Sequence, residues 1–283
     1  MSLTGLPLCH KGMVTKHQIV RGVAVLRDKL GYQTQIQVHL PFVLILLIAA
    51  LFISLAAFIS RLGFWSPVLL QIVFVICWLL LIIRGFFGHR EAYRVRFGPL
   101  AYKRAFFRFF LFAAPLLITI LVHPLLLPPG NLIPSPLSVA LAGFFLSLGF
   151  LIWFRALRHF GLDRAALVYT YFPEEGELIQ NKTYGFLRHP LYADWLLTSS
   201  GFALWTNSIQ ALLLVGIIGV MVLIWVRCEE RELIERFGRS YQEYRNRTPA
   251  LFPRPGNILS FLLYLLSGRL LKQEEEQSRG FPP

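Results

Sequence analysis

Long apolar runs constrain this chain more than any other feature. Six of them follow one another, at residues 38–60, 64–87, 106–127, 137–157, 191–205 and 209–226. A helix of about 20 apolar residues crosses the hydrocarbon core of a bilayer, and a helix satisfies its own backbone hydrogen bonds there. The sequence therefore predicts an all-α, polytopic helical membrane protein with about six transmembrane helices.

The composition supports this class and excludes others. Hydrophobic residues make up 55% of the chain and charged residues only 15%, too few for a soluble surface. The formal charge of +13 would suggest nucleic acid as the partner of a soluble protein. In a membrane protein it indicates basic cytoplasmic loops beside anionic lipids, so we expect membrane lipids as partners and no nucleic acid. The three cysteines are far apart, and neither a disulfide framework nor a metal site is expected.

Basic residues also predict the orientation. If all six runs cross the membrane, the N-terminus, the 84–105 loop, the 158–188 connection and the region after residue 226 share one side. These segments hold nearly all the Lys and Arg, whereas the opposite loops hold only Arg61. The positive-inside rule makes the basic side cytoplasmic, with both termini there, in a bacterial cell membrane or the endoplasmic reticulum. The first residues are polar, so no cleavable signal peptide is expected.

Four segments are predicted along the chain. Residues 1–37 are a basic N-terminal segment, in which Ile19, Val23, Leu26 and Leu30 recur at helical spacing. This pattern predicts an amphipathic helix, lying on the membrane or packed on the membrane domain. Residues 38–157 hold four transmembrane helices, and residues 158–256 form a core with a polar connection, a helical hairpin and a charged helix. Residues 257–283 combine a short interfacial or re-entrant helix with a disordered tail.

Details of the core are also predicted. Residues 168–172 could be extended. The charged helix covers residues 229–247, with Glu232/Arg236 and Glu235/Arg239 pairs at four-residue spacing.

Two polar clusters flank the last two apolar runs. Pro190 suits the first turn of a helix, which puts His189 at the start of the fifth run. Because the fifth and sixth runs are of similar length, the hairpin returns Glu229 and Glu230 to the same membrane surface. We therefore expect a pocket on the cytoplasmic side that also opens to lipid between helices.

The side chains of this pocket limit what it can bind. A carboxylate pair can hold an ammonium, Arg and His can hold a carboxylate, and Tyr can stack on or hydrogen-bond to an aromatic base. A zwitterionic, amino-acid-like cofactor with an adenine fits this set.

Residues 178–253 resemble the membrane methyltransferases of the isoprenylcysteine carboxyl methyltransferase and phospholipid methyltransferase superfamily. The matching positions are Tyr184, Arg188, His189, Pro190, Tyr192, Glu229, Glu230, Leu233, Phe237, Gly238, Tyr241, Tyr244, Pro249 and Pro253. The resemblance implies S-adenosylmethionine bound on the cytoplasmic side and a lipophilic substrate that enters from the bilayer. Candidate acceptors are a prenylcysteine carboxylate, a phospholipid amine, and a small hydrophobic thiol or alcohol.

The resemblance also implies roles for single residues. The implied cofactor-binding residues are Tyr184, Leu187, His189, Pro190, Tyr192, Glu229, Glu230 and Arg245. Among them Glu230, with Glu229 beside it, would bind the amino group, and Arg188 or Arg245 would bind the carboxylate or the substrate. The implied catalytic residues are Arg188, His189 and Glu229, with Glu229 or His189 taking a proton from an amine acceptor.

Two departures keep alternatives open. The family's Gly-Pro is Lys182-Thr183 here, and Asp194 replaces a glycine. The Ala193-Asp194-Trp195 sequence is more similar to the C-terminal region of sterol reductases, so an NADPH-dependent reductase of an isoprenoid or sterol is one alternative. A non-catalytic transporter or lipid-binding protein is the other.

The basic 84–108 loop has two interpretations. It either binds a lipid phosphate or a prenylcysteine carboxylate, or it is a belt of cytoplasmic basic residues that follows the positive-inside rule. The acceptor and the oligomeric state do not follow from the sequence.

Overall fold

The structure, a computed structural model, describes residues 14–268, and throughout this range the regular elements are helical. The α-helices are α1 (Val14–Lys29), α2 (Gln35–Ile59), α3 (Ser66–Leu79), α4 (Arg90–Phe97), α5 (Ala101–Ala105), α6 (Leu111–Val122), α7 (Ser135–Phe160), α8 (Leu162–Ala165), α9 (Val168–Tyr171), α10 (Thr183–Phe186), α11 (Pro190–Thr206), α12 (Ile209–Phe237), α13 (Arg239–Arg247) and α14 (Ile258–Ser267). Two π-helical stretches continue α3 and join α5 to α6, at Leu80–Phe87 and Phe106–Phe110. Short 3-10 turns lie at Gly98–Leu100, His123–Leu126, Pro173–Glu175 and Pro255–Asn257.

Five helical segments are long and apolar enough to cross a membrane. They are Ile36–Ile59, Ser66–Phe87, Arg90–Leu126, Ser135–Phe160 and Ile209–Phe237. This confirms the predicted polytopic helical membrane protein.

The fifth predicted span is α11, which is shorter than the others. Its 17 residues extend about 26 Å. At its end the side chain of Asn207 hydrogen-bonds to both backbone groups of Ile133, at 3.1 and 2.8 Å, just before α7 begins. Near its start, Ala193 and Leu197 share a hydrophobic cluster with Ile152 of α7. The two helices therefore pack antiparallel, and the bundle has a His189 end and an Asn207 end.

The N-terminal helix α1 packs on the protein itself. Leu26 and Leu30 are fully buried against Phe86 and Tyr102. The predicted helix is thus confirmed, and of its two interpretations the structure supports packing on the membrane domain. The side chain of Ile19 and the predicted disordered tail lie outside the part that the structure describes.

Two local predictions in the core are wrong. Residues 168–172 are not extended, since Val168–Tyr171 forms a helical turn after Leu167, whose φ of 56° reverses the chain. The charged stretch is not one helix, because Gly238, with φ 54° and ψ −126°, ends α12 and begins α13.

The break at Gly238 also changes the ion pairs. Glu232 and Arg236 lie 3.5 Å apart, as predicted. The prediction of a Glu235/Arg239 pair is wrong. Glu235 instead lies 3.7 Å from Arg90, and Arg239 contacts Glu243 at 2.9 Å. The new direction of α13 carries Arg239 away from the α12 face.

Candidate active site

The helical hairpin of α11 and α12 brings the two polar clusters together at the His189 end. His189 precedes α11, and Glu229 and Glu230 lie two turns before the end of α12. The Nδ1 atom of His189 is 3.2 Å from Glu229 Oε2, and its Nε2 atom is 3.2 Å from Glu230 Oε1. The predicted meeting of His189 with these carboxylates, 40 and 41 positions further along the chain, is therefore observed.

Glu230 is the centre of a buried ion cluster. Arg188 donates to Glu230 Oε1 from Nε and Nη2, at 2.9 and 2.6 Å. Arg245 Nε lies 3.3 Å from the other oxygen, Oε2. Together with His189, three positively charged or chargeable groups surround this carboxylate, which is only 7% exposed. The arrangement gives Glu230 a structural task within the fold.

Backbone contacts fix the same cluster. Arg188 and His189 donate their N–H groups to the carbonyls of Pro249 and Ala250, at 2.9 and 3.0 Å. Arg188 also donates to the carbonyl oxygen of Thr248 through Nη1. The segment after α13 thus holds both residues in place.

The surroundings of His189 raise its pKa. Burial by itself lowers the pKa of an imidazole, but hydrogen bonds and charge from Glu229 and Glu230 outweigh burial and raise the pKa of His189 above 6.5. The two carboxylates thus favour the protonated form of the imidazole, and the predicted role of His189 as a proton acceptor stays a prediction.

A cavity of about 110 Å³ lies between α12 and the 160–179 segment. Four of the predicted site residues line it: Tyr184, Arg188, His189 and Glu229. The others, Leu187, Pro190, Tyr192, Glu230 and Arg245, lie behind this wall, and their cofactor contacts stay predictions.

Two of the residues behind the wall belong to the packing of the hairpin. Leu187 is fully buried in a cluster with Phe186 and Phe261. Tyr192 stacks on His189 with ring centroids 5.3 Å apart, and its hydroxyl accepts a hydrogen bond from Trp225 at 2.7 Å. These contacts orient His189 from the apolar side.

Buried polar atoms without a hydrogen-bond partner surround the cavity. Among the described residues they are Tyr184 Oη, Tyr241 Oη and Arg236 Nε, whereas the nearby Glu229 Oε2 lies 3.2 Å from His189 Nδ1. Buried polar groups are normally paired, so three together indicate unused binding capacity. Donors, a carboxylate and aromatic rings suit a zwitterion joined to an aromatic base, which is the chemistry predicted for the cofactor.

The cavity adjoins a second one across a shared wall of side chains that faces α12. Ligand pockets usually measure about 300–1,000 Å³, more than this cavity. A second cavity, of about 230 Å³, lies on the far side of Arg164, Tyr169 and Glu177, which line both. Movement of this wall would join the two.

Sequence reasoning missed several lining residues. Arg236 and Glu232 follow Glu229 by seven and three positions, a spacing that places all three on one helix face and could have revealed them. Arg164 and Glu177 come from the polar connection, where no periodicity marks them.

Asp194, which suggested a reductase, lies elsewhere. It is buried beside Gly149 of α7, where it accepts a hydrogen bond from Thr198 at 2.7 Å. The charged cavity does not include it.

Fold and site together define a polytopic helical membrane protein with a charged cavity at one end of its bundle. Residues 137–240, which carry α7, the hairpin and both carboxylates, match the phospholipid methyltransferase family. This match and the curated relatives support the isoprenylcysteine carboxyl methyltransferase and phospholipid methyltransferase superfamily, as the resemblance predicted.

Curated relatives carry a more specific name. Methanethiol S-methyltransferase of Crocosphaera subtropica is 32% identical over 104 residues, which cover 34% of this chain and 39% of that protein. Methanethiol S-methyltransferase 2 of Bradyrhizobium diazoefficiens is 30% identical over 175 residues, 56% of this chain and 62% of that protein. The chain thus spans less than two thirds of either relative. No solved structure matches it.

Proposed function

We propose that this protein transfers a methyl group from S-adenosylmethionine to a lipophilic acceptor that enters from the bilayer. The observation that carries the proposal is the set of unpaired polar atoms around the cavity, which adjoins the carboxylates of a phospholipid methyltransferase domain. The bound cofactor would supply a methyl group already activated on a sulfonium, so the protein's share is orientation and exclusion of water.

The cavity suggests which residues hold the cofactor. Glu229, which lines the cavity and lies 3.2 Å from the imidazole of His189, would take the ammonium group. Arg236 would take the carboxylate through Nε, because its ion pair with Glu232 uses Nη1, whereas Arg188 already gives two hydrogen bonds to Glu230. Tyr184 and Tyr241 offer their rings and hydroxyls to the base.

We infer that a small lipophilic thiol is the first acceptor to test, since the relatives are named for the S-methylation of methanethiol. In this reaction the acceptor sulfur bonds to the methyl carbon as the bond to the sulfonium sulfur breaks. The thiol proton would leave to solvent. Thiolate is the reactive form, so the rate should rise with pH.

The test uses detergent-purified protein. Calorimetry should detect binding of S-adenosylhomocysteine and no binding of NADPH. Binding of NADPH alone would support the reductase. Binding of neither compound would support a transporter or lipid-binding protein. Labelled methyl donor is then offered with alkanethiols, a prenylcysteine and phosphatidylethanolamine. A labelled thioether is the expected product. Label found only in the prenylcysteine or in phosphatidylethanolamine would refute the proposal that a thiol is the acceptor.

Arg236 gives a direct test of the cofactor pose. Arg236→Gln should weaken S-adenosylhomocysteine binding by about tenfold or more, because a charge-assisted hydrogen bond contributes roughly 1.5–3 kcal/mol. The matched control is Arg239→Gln, which removes the same charge from an almost fully exposed side chain. Calorimetric titration measures both variants. Wild-type affinity in a folded Arg236→Gln protein would contradict the pose.

A further inference from the structure

We propose that a cleft on α4 and α5 binds the phosphate of an anionic phospholipid headgroup. The cleft measures about 630 Å³ and is separate from the candidate active site. Its cations are Lys103, Arg104 and Arg108, and its aromatic wall includes Phe97 and Phe107. The match to the phospholipid methyltransferase family begins only at residue 137, so this region lies outside that match.

The charges of the cleft are not neutralised within the protein. Lys103, Arg104 and Arg108 form no ion pair in the part of the chain that the structure describes, whereas Arg90 and Arg94 in the same loop both contact Glu91. The unpaired cations therefore differ from their neighbours, and they leave a local excess of positive charge.

Aromatic rings position these cations. The Arg104 guanidinium lies 5.7 Å from the centroid of the Phe97 ring, and the Lys103 ammonium lies 5.4 Å from that of Tyr32. A ring face attracts a cation without cancelling its charge. The cleft thus presents fixed, available positive groups to an anion.

Apolar surface beside the charges favours a lipid over a soluble anion. Leu100, on the rim of the cleft, is 53% exposed, and Val95 in the preceding helix is 89% exposed. Both lie in the segment Arg90–Leu126, which is apolar enough overall to cross the membrane. A phosphodiester attached to acyl chains satisfies the cations and the apolar rim together.

The test measures lipid retention by native mass spectrometry. Purified protein is offered equal amounts of phosphatidylglycerol and phosphatidylcholine, and a clear preference for phosphatidylglycerol is expected. Because each Lys or Arg near an anionic surface contributes about 1 kcal/mol, a K103Q/R104Q/R108Q variant should lose this preference by as much as a hundredfold. The preference in the wild type should also weaken as salt is raised.

Arg158→Gln is the matched control. It removes a charge at the His189 end, from a side chain that stacks on Phe154 away from the cleft, and should keep the wild-type preference. Equal retention of both lipids by the wild type, or an equal loss in the control, would overturn the proposal. So would glycerol phosphate binding as tightly as phosphatidylglycerol, since the site would then be one for soluble anions.

A second measurement does not depend on the variant folding. Phosphatidylglycerol with a photoreactive headgroup, cross-linked to the wild-type protein, should label peptides within residues 93–108. Labelling confined to other basic segments would refute the assignment.

Discussion

Glu229 and Glu230 are adjacent in the chain but contact different groups. Glu230 is enclosed by Arg188, His189 and Arg245, whereas Glu229 contacts His189 alone among charged side chains of the described residues and lines the cavity. At the scale of the residue, one carboxylate holds the fold and the other is available to a ligand.

Substitution of the two carboxylates should separate these tasks. Glu230→Gln should lower the free energy of unfolding by about 3 kcal/mol, because removing one partner leaves a buried charge uncompensated. Glu229→Gln should weaken S-adenosylhomocysteine binding with a much smaller loss of stability. Thermal unfolding and calorimetric titration, run on both variants, measure the two effects. Equal destabilisation of the two proteins would contradict this division.

His189 should make stability depend on pH. Its pKa is higher in the folded protein than its ordinary value of 6.5, so the proton stabilises the fold. This contribution is complete below the unfolded pKa and is lost as the pH rises through the folded pKa. The wild type should therefore lose stability above about pH 6.5, and His189→Gln should lack this component.

Thermal unfolding measured from pH 6 to pH 9 checks the effect. The control is His39→Gln, whose side chain is exposed. It should follow the wild type, and the same decline in His189→Gln would show that another group is responsible.

Residue-level prediction succeeded where helix geometry alone decides contacts. Pro190 marks the start of α11, and the two runs of similar length return Glu229 and Glu230 to His189. It failed for Arg236, because that side chain becomes part of a cavity only through the fold of the 160–179 segment. That segment has no hydrophobic period from which its fold could be read.

At the scale of the element, Gly238 decides the shape of the site. The charged residues continue across it at helical spacing, which favoured one long helix. A glycine after the last periodic residue is the usual C-terminal signal of a helix, and it outweighs that pattern here. The break turns α13 so that Tyr241 and Tyr244 line the cavity.

Gly238→Ala should therefore destabilise the protein by about 1–3 kcal/mol, because residues with a side chain rarely adopt its backbone angles. Gly256→Ala is the matched control, since an added methyl group meets no atom within 4 Å at either position and Gly256 has no positive φ. Thermal unfolding compares the two. Equal stability would show that the chain tolerates an alanine at this break.

At the scale of the whole molecule, the distribution of basic residues agrees with the order in which the helices connect the two ends of the bundle. Within residues 14–268, the loops at the Asn207 end hold Arg61 as their basic residue, and the other basic segments lie at the His189 end. The number and order of spans could be read from the apolar runs, although α11 is too short to identify by length alone. The orientation remains a prediction from the positive-inside rule.

Cysteine labelling tests the orientation. After Cys9, Cys77 and Cys228 are replaced by serine, single cysteines are introduced by Gly63→Cys and Gly256→Cys, at opposite ends of the bundle. A membrane-impermeant maleimide added to intact bacterial cells should label the first and reach the second only after permeabilisation. The reverse pattern would invert the orientation, and labelling of both in intact cells would contradict the predicted topology.

The bonds from Arg188 and His189 to Pro249 and Ala250 have a consequence for biosynthesis. The ribosome makes α2 to α12 before it makes the segment that fixes these two residues. The nascent chain therefore carries its five long apolar segments before the backbone that completes the pocket has been made. A partly made protein can thus be held in the membrane before its pocket is complete.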